Sequence, residues 1–349
     1  MVHAEPIGDV EKALQAQMGQ GEHVSYRSVS GITGESTEVS GSLFVPKGNP
    51  PQGGWPVVSL GHGFAGINTE CALSGKADFM GYYGAIAGFL AAGYAVAMTD
   101  YQGLGGPGLH PFLEPRTAGF NVIDAVRALR TQFPGVSARW VAFGNSQGGQ
   151  ATWAANEINH WYGDGLDLLG SVALAPAANV SAVAQLSYAE KLTLPQLAVM
   201  PAIIVGAQRS YPDVPITGLL HGDGASHSEL LAGCGHDADV ARSKLTAADV
   251  KPASANDAAA LTQSLRKMAL PMEPASAPME VLTGGADELI LPNWVSQSVE
   301  RACKLGDTIR YRILDGVGHD EIGPDDKTIA WVADRFAGKP AEGNCTGAS

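Results

Sequence analysis

Ser146 is the centre of the chemistry this chain can offer. It stands in residues 140–149, W-V-A-F-G-N-S-Q-G-G, where the apolar run 140–143 predicts a buried strand and the pattern from Gln147 to about Asn159 predicts a helix. Strand, sharp turn and helix with G-x-S-x-G on the turn push a serine Oγ outward as a nucleophile. The turn strains the serine backbone, and a Cβ two residues to either side would collide with the neighbouring strand or helix. The five-residue pattern alone arises by chance in many chains of this length. Its weight comes from the flanking strand and helix.

A serine nucleophile needs a base to take its proton and an acid to orient that base. Residues 279–283 read as a strand breaking at Gly284, Gly285, Ala286 and Asp287, and residues 309–314 as the last strand, breaking at Asp315, Gly316, Val317, Gly318 and His319. Both breaks fall on the strand edge where Ser146 sits, in the chain order Ser, Asp, His. His319 alone could be an ordinary loop histidine; its place in G-H-D-E after the final strand favours the base. Asp287, Glu288 and Asp315 lie near strand ends, and Asp320 and Glu321 flank the histidine. Asp287 is the expected acid, being the first carboxylate after the glycine break, with apolar Leu289, Ile290, Leu291 and Pro292 behind it to keep water off its bond to His319. Asp315 could reach the histidine only if its loop folded back, and Glu288 should point away from its neighbour.

The elements before Ser146 must build the sheet that positions it. Residues 22–30 and 35–46 alternate with period two around a Gly-containing turn at 31–34 and predict an N-terminal antiparallel hairpin. After a loop at 50–54, residues 55–60 supply a strand that runs into Gly61, His62, Gly63, Phe64, Ala65 and Gly66. As a dinucleotide fingerprint this G-x-G-x-x-G is weak, because no helix opens directly behind it and it does not follow the first strand. A second match at Gly103, Gly105 and Gly108 shows how cheap the pattern is among 44 glycines. The better reading is the oxyanion loop after the third strand of an α/β-hydrolase sheet, with His62 structural. Residues 81–92 then predict an apolar helix closed by Gly93, 94–98 a strand ending at Thr99 and Asp100, 101–111 a Gly/Pro loop, and 116–133 a helix with an apolar face. Two such strand–helix–strand units imply a parallel sheet with its site along the carboxyl edge. Residues 170–175 form the next strand, 326–336 the closing helix and 337–349 a tail.

Between about 179 and 270 the alternation lapses into apolar stretches such as 192–205, a Pro/Gly/His segment and an Ala-rich helical region. A stretch of this length between sheet strands is the usual position of a cap over the site, the plainer reading being a subdomain far from it. The expected organisation is a hydrolase core at 1–178, a cap at 179–270, and the rest of the core with the tail at 271–349. His221, Asp223, His227, His236, Asp237 and Asp239 cluster in the cap and could ligate a metal; polar loop composition explains them more simply, and no metal or other cofactor is expected.

The 349 residues, 45% hydrophobic and 16% charged, suffice for one large α/β domain with an insertion or for two domains. The net charge of −13, from 22 basic and 35 acidic residues, argues against nucleic acid as a partner. Cys71, Cys234, Cys303 and Cys345 lack C-x-x-C or C-x-x-H spacing, which disfavours zinc and leaves two disulfides or four thiols. The start Met1, Val2, His3, Ala4, Glu5 has neither a basic segment nor an apolar signal core, and suits a cytosolic protein or a mature secreted one with an added Met.

Four segments together resemble the secretory lipase family, the lipase A type of α/β-hydrolase: T-D-Y-Q-G-L-G-G-P-G-L-H-P-F at 99–112, G-N-S-Q-G-G at 144–149, T-E-C-A-L-S at 69–74 and G-A-D-E-L-I-L-P at 285–292. The resemblance runs from about 55 to 319. It implies an α/β-hydrolase fold with a mostly parallel central sheet, a mainly helical lid before the acid, and nucleophile, acid and base at Ser146, Asp287 and His319. The family usually has His before the serine where this chain has Asn145, a departure that bears on substrate preference more than on reaction type. The resemblance also implies export, and it is the only ground for pairing Cys71 with Cys234 and Cys303 with Cys345, since four cysteines allow three connectivities.

The expected reaction is ester hydrolysis through an acyl-enzyme. His319 takes the Ser146 proton, Oγ attacks the carbonyl, and the oxyanion is held by the backbone N–H groups of Gln147 and Phe64, with Ala65 the alternative to Phe64. The substrate is a small-molecule or lipid ester, reached with transient lipid-interface contact if the ester is a lipid. The same residues would serve aromatic or polymeric esters or amides, and a catalytically silent homologue acting as a binding protein is the reading from another class.

Overall fold

A computed structural model of the chain describes residues 1–345. Its elements are, in order, β1 (His3–Pro6), α1 (Lys12–Gln17), β2 (Met18–Val29), β3 (Ser36–Pro46), β4 (Trp55–Gly61), α2 (Tyr83–Ala91), β5 (Ala95–Thr99), α3 (Pro115–Gln132), β6 (Val136–Asn145), α4 (Gln147–Tyr162) and β7 (Asp167–Leu174). Between β7 and the next strand lie α5 (Val183–Tyr188), α6 (Leu194–Ser210), α7 (Gly222–Ser226), α8 (Ser228–Ala232), α9 (His236–Arg242), α10 (Ala247–Val250) and α11 (Ala255–Lys267). The chain closes with β8 (Met279–Gly284), α12 (Pro292–Leu305), β9 (Ile309–Leu314) and α13 (Asp326–Phe336).

The strands make one nine-stranded sheet in the order β1-β2-β3-β5-β4-β6-β7-β8-β9. From β5 to β9 every pairing is parallel, while β1, β2 and β3 run antiparallel at one edge. This is the mostly parallel α/β-hydrolase architecture expected from the motifs. Residues 1–21 add β1 and α1 to the elements predicted from sequence, so the loop after β4 follows the fourth strand rather than the third. A single exposed four-residue strand at an edge has no alternation long enough to read.

Strand pleating sorts the core into two layers. Val57, Ala95, Ala97, Trp140 and Ala142 pack with α3 and α4 on one face, whereas Val58, Val96, Met98, Val141 and Phe143 pack with α1, α2 and α13 on the other. Adjacent residues alternate between the faces, as the two-residue period of a strand requires. A third cluster joins Trp153 of α4 and Ala173 of β7 to apolar residues of α6, α11 and α12. Two disulfides close the structure, Cys71–Cys234 and Cys303–Cys345, with Cα separations of 5.6 and 5.5 Å; the pairing is the one the family resemblance implied. Among the described residues, no helix is long and apolar enough to cross a membrane.

Glu157 of α4 is a carboxyl inside the protein that the site does not use. One oxygen accepts the N–H groups of Met272 (3.0 Å) and Glu273 (3.3 Å), tying α4 to the segment leading into β8. Loss of hydration outweighs those bonds and pushes its pKa from the ordinary glutamate value up to about 8. With the folded-state value raised, the stability this group contributes is fully present below about pH 4.5 and is lost as pH climbs through about 8. Glu157→Gln keeps the acceptor and removes the proton. Melting curves from pH 5 to 8 are expected to show wild type losing ground to the variant by an amount on the order of a few kcal/mol; parallel profiles would refute a protonated Glu157.

Candidate active site

The turn between β6 and α4 forces Ser146 to φ 56°, ψ −117°, in the positive-φ region that side chains rarely adopt. The strain is held by neighbours: Ser146 N–H donates to Leu174 O of β7 (2.8 Å), and Ser146 O accepts from Ala177 N–H (3.1 Å). A Cβ at Gly148 would overlap Gly61 O of β4, and one at Gly144 would overlap Gly148 O. Both glycines are therefore required by close backbone approach, as the motif suggested. Ser146 is left 9% exposed at the strand's carboxyl end.

The loops after β8 and β9 are joined by backbone bonds, Gly285 N–H to Leu314 O (2.8 Å) and Ala286 N–H to Val317 O (3.0 Å). That junction brings Asp287 and His319 together although 32 residues separate them. His319 Nδ1 lies 2.7 Å from Asp287 Oδ2, and His319 Nε2 lies 3.0 Å from Ser146 Oγ. Since the carboxylate only accepts, Nδ1 carries the proton and Nε2 presents its lone pair to the serine hydroxyl. The other oxygen of Asp287 accepts the N–H groups of Leu289 (2.9 Å) and Ile290 (2.8 Å). The D-E-L-I run thus fixes the carboxylate by turning its own backbone onto it, beyond the apolar shielding expected from sequence. Glu288, Asp315, Asp320 and Glu321 are all exposed, and Glu321 caps Gly318 N–H (2.9 Å).

Among the described residues, the backbone N–H groups of Phe64 and Ala65 in the loop after β4, and of Gln147 next to the serine, donate to no protein group. Gln147 opens α4, and the first N–H groups of a helix have no intrahelical partner. In the loop after β4, Gly63 N–H is taken up by the Tyr82 hydroxyl (2.7 Å). His62 is buried as a structural residue, with Nδ1 2.7 Å from Gly63 O. Burial pushes its pKa down and keeps the ring neutral.

Sequence reasoning missed His110. It is buried, its Nδ1–H donates to Gln102 O (2.9 Å), and its Nε2 accepts from Gln147 Nε2 (2.9 Å). Burial lowers its pKa to about 3, so the ring stays neutral and anchors the side chain of the residue whose backbone opens α4. The available signal was a histidine within the Gly/Pro loop following β5, at the same sheet edge as Ser146. The histidines and aspartates between 221 and 239 do not converge on a metal: among the described residues the one suitable trio is Glu70 with Cys71 and Cys234, whose sulfurs are bonded to each other.

Ser146 stands between two cavities. An inner one, small at about 40 Å³, is lined almost entirely by apolar side chains, among them Phe112, Val183, Val199, Ile203 and Trp294. An outer one, about 340 Å³, meets Asn145, His319 and Asp320 as well as Pro195 and Ala198 of α6. Phe64, Val199 and Leu289 border both.

A profile of the secretory lipase family matches residues 82–344, well over half of the chain. No curated protein sequence matches significantly. Among solved structures, Candida antarctica lipase A in its closed state superposes with a TM-score of 0.78 at 16% identity, covering 99% of this chain and 84% of that one. The rice cell wall degrading esterase LipA from Xanthomonas oryzae, in a ligand-bound form, gives 0.75 at 16% identity, covering 96% and 94%. At such identities these likenesses speak to the fold.

The geometry separates the candidate acids. Asp287→Asn, which keeps the shape but disturbs the histidine tautomer, is expected to lower kcat on an activated ester by about 10⁴, while Asp315→Asn and Glu288→Gln change it less than about threefold. A large loss for Asp315→Asn with little for Asp287→Asn would reverse the assignment.

Proposed function

The chain belongs to the secretory lipase family and is a hydrolase of the lipase and esterase kind; on that premise we propose that it is a serine-dependent carboxylic ester hydrolase working through an acyl-enzyme. The observation that carries this reading is the unbroken hydrogen-bonded line from Asp287 through His319 to Ser146, at 2.7 and 3.0 Å, ending on a strained serine between two cavities.

In the proposed mechanism the ester carbonyl sits over Ser146 with its oxygen toward the N–H groups of Gln147 and Phe64. His319 Nε2 takes the Oγ proton as Oγ attacks, and the imidazolium is stabilised by Asp287. The same proton goes to the departing alkoxide, which leaves through the outer cavity. Water entering by that route then attacks the acyl carbonyl as His319 takes its proton; the Oγ–acyl bond breaks, the proton returns to Ser146 Oγ and the carboxylic acid leaves. The inner cavity suits an aliphatic acyl group, since its lining offers little to hydrogen-bond. The donors are preorganised for the tetrahedral oxyanion, the contribution that commonly outweighs the others in acyl transfer.

We further read residues 179–270 as a cap over this site. Gln196, Val199 and Ile203 of α6 line the inner cavity, and Pro195 and Ala198 line the outer one. Two disulfides and the family's character favour a secreted protein acting on small-molecule or lipid esters.

Incubation with an alkyl fluorophosphonate followed by peptide mapping is expected to label Ser146 alone and to abolish turnover of p-nitrophenyl esters. Ser146→Ala should lose activity by about 10⁶ with an unchanged melting temperature. Labelling at another residue, or a folded wild-type protein that resists the probe, would refute the serine-hydrolase reading.

A further inference from the structure

The two proposed oxyanion donors belong to different segments, Phe64 to the loop after β4 and Gln147 to the start of α4. Up to Gly61 the strands are held in register, Gly61 opposite Gly144 in the β4–β6 ladder. Beyond Gly61 the loop leaves the ladder, so the gap between the donors has to be set by side chains.

Tyr82, just ahead of α2, bridges that gap with one oxygen. Its hydroxyl accepts Gly63 N–H at 2.7 Å and donates its proton to Asn145 Oδ1, one residue before the nucleophile. The direction follows from the groups: a backbone N–H can only donate, so the phenolic oxygen accepts there and its single proton goes to the carboxamide oxygen. The far end of the same peptide unit is held too, because the Tyr101 hydroxyl donates to His62 O at 3.0 Å. The His62–Gly63 peptide plane is thereby clamped between two tyrosine hydroxyls. In the next unit Gly63 O is bound by His62 Nδ1–H, and in a trans peptide C=O and N–H point opposite ways. Phe64 N–H is turned away from the buried His62 ring, toward the side on which Phe64 borders both cavities with Ser146. The clamp adjoins the nucleophile: a Cβ built on Gly63 would lie 3.5 Å from the Tyr82 hydroxyl and 3.6 Å from Ser146 Cβ.

We propose that Tyr82 is a positioning residue for the reaction, its hydroxyl fixing the oxyanion loop to the nucleophile turn through Gly63 and Asn145 so that the Phe64 and Gln147 N–H groups converge on one oxygen. The proposal rests on the Ser146 reading above. Removing the hydroxyl leaves Gly63 N–H and Asn145 Oδ1 without their shared partner and frees the loop to drift by the tenths of an ångström to which such donors are sensitive. Substrate contacts in the inner cavity are untouched, so the loss falls on the transition state.

The test is Tyr82→Phe, with kcat expressed per serine titrated by a phosphonate so that misfolded protein is not counted. The expected result is a kcat lower by about 10- to 100-fold, KM within about threefold of wild type, and a parallel loss of affinity for a trifluoromethyl ketone that mimics the tetrahedral state. Asn145→Leu, which removes the acceptor, should show the same pattern, and Asn145→His, which keeps a lone pair for Tyr82, should recover most of the loss. The double variant Tyr82→Phe/Asn145→Leu should be about as impaired as the worse single one, because both break one bridge. Unchanged kcat and ketone affinity in Tyr82→Phe, or losses that multiply in the double variant, would overturn the proposal. Should Tyr82→Phe fail to fold, Asn145→Leu and Asn145→His test the same bridge from its other end, and unchanged kcat in Asn145→Leu would overturn it. Wild-type protein that neither reacts at Ser146 nor cleaves esters would instead overturn the parent reading and this one with it.

Discussion

The site depends on a place where three backbones meet with no side chain between them. Gly61 at the end of β4 and Gly144 at the end of β6 are ladder partners, and Gly148 in the first turn of α4 presses against Gly61. Only when α4 comes this close can the chain reverse from strand to helix within the single residue Ser146. The reversal places Oγ at the sheet edge, 3.0 Å from His319 Nε2. The rest of the site is arranged around that fixed point: the loop after β4 packs beside the serine at Gly63, and the joined loops after β8 and β9 bring Asp287 and His319 to meet it.

Burial keeps the surroundings of this point neutral. His62 and His110 are both enclosed and have depressed pKa values, so neither adds a positive charge near Ser146. Their value is directional. His62 turns one peptide and His110 anchors the Gln147 side chain, each with a fixed tautomer because its Nδ1–H is committed to a backbone carbonyl. The carboxylates nearby behave likewise: Asp100 is buried and accepts from Ser40 Oγ (2.7 Å) and Ser74 N–H (2.9 Å), drawing the 69–75 segment against the sheet. Most polar groups around the serine thus support geometry.

The sheet, and the three residues that the structure brings into one hydrogen-bonded line, are legible in the sequence because both leave short-range marks. Continuous apolar runs reveal strands whose two faces are buried, and glycines beside Ser146 and before Asp287 reveal turns with no room for a Cβ. What stays hidden is long-range. Tyr82 lies 63 residues from Asn145 and His110 lies 37 from Gln147, and no local pattern says that such pairs meet. Asp287 stands out from its neighbours in sequence by the apolar residues behind it, whereas the structure adds two backbone N–H bonds within the same turn that the sequence could only imply. The first strand is invisible for the opposite reason: being short and exposed at an edge, it has no buried face to impose a pattern.

The attachments of α6 to α9 restrict how the site can be reached. Arg209 of α6 donates to Ile67 O (2.5 Å) and Asn68 Oδ1 (3.2 Å), Ile67 N–H donates to Ala232 O (2.8 Å), and the Cys71–Cys234 bond lies beside them. These links stitch the C-terminal end of α6 and the α8–α9 junction to the segment that continues from the oxyanion loop. Movement of the helices on that side would drag the loop that carries Phe64. The N-terminal end of α6 is held more lightly, through Thr193 Oγ1 to Glu288 O (2.7 Å) and Gln196 Nε2 to Leu289 O (3.2 Å). There Leu194 is 82% exposed and Pro195 and Ala198 border the outer cavity. On the reaction proposed above, a bulky ester would enter at this end, where two side-chain bonds hold α6, while the disulfide side stays tied to the segment that follows the β4 loop.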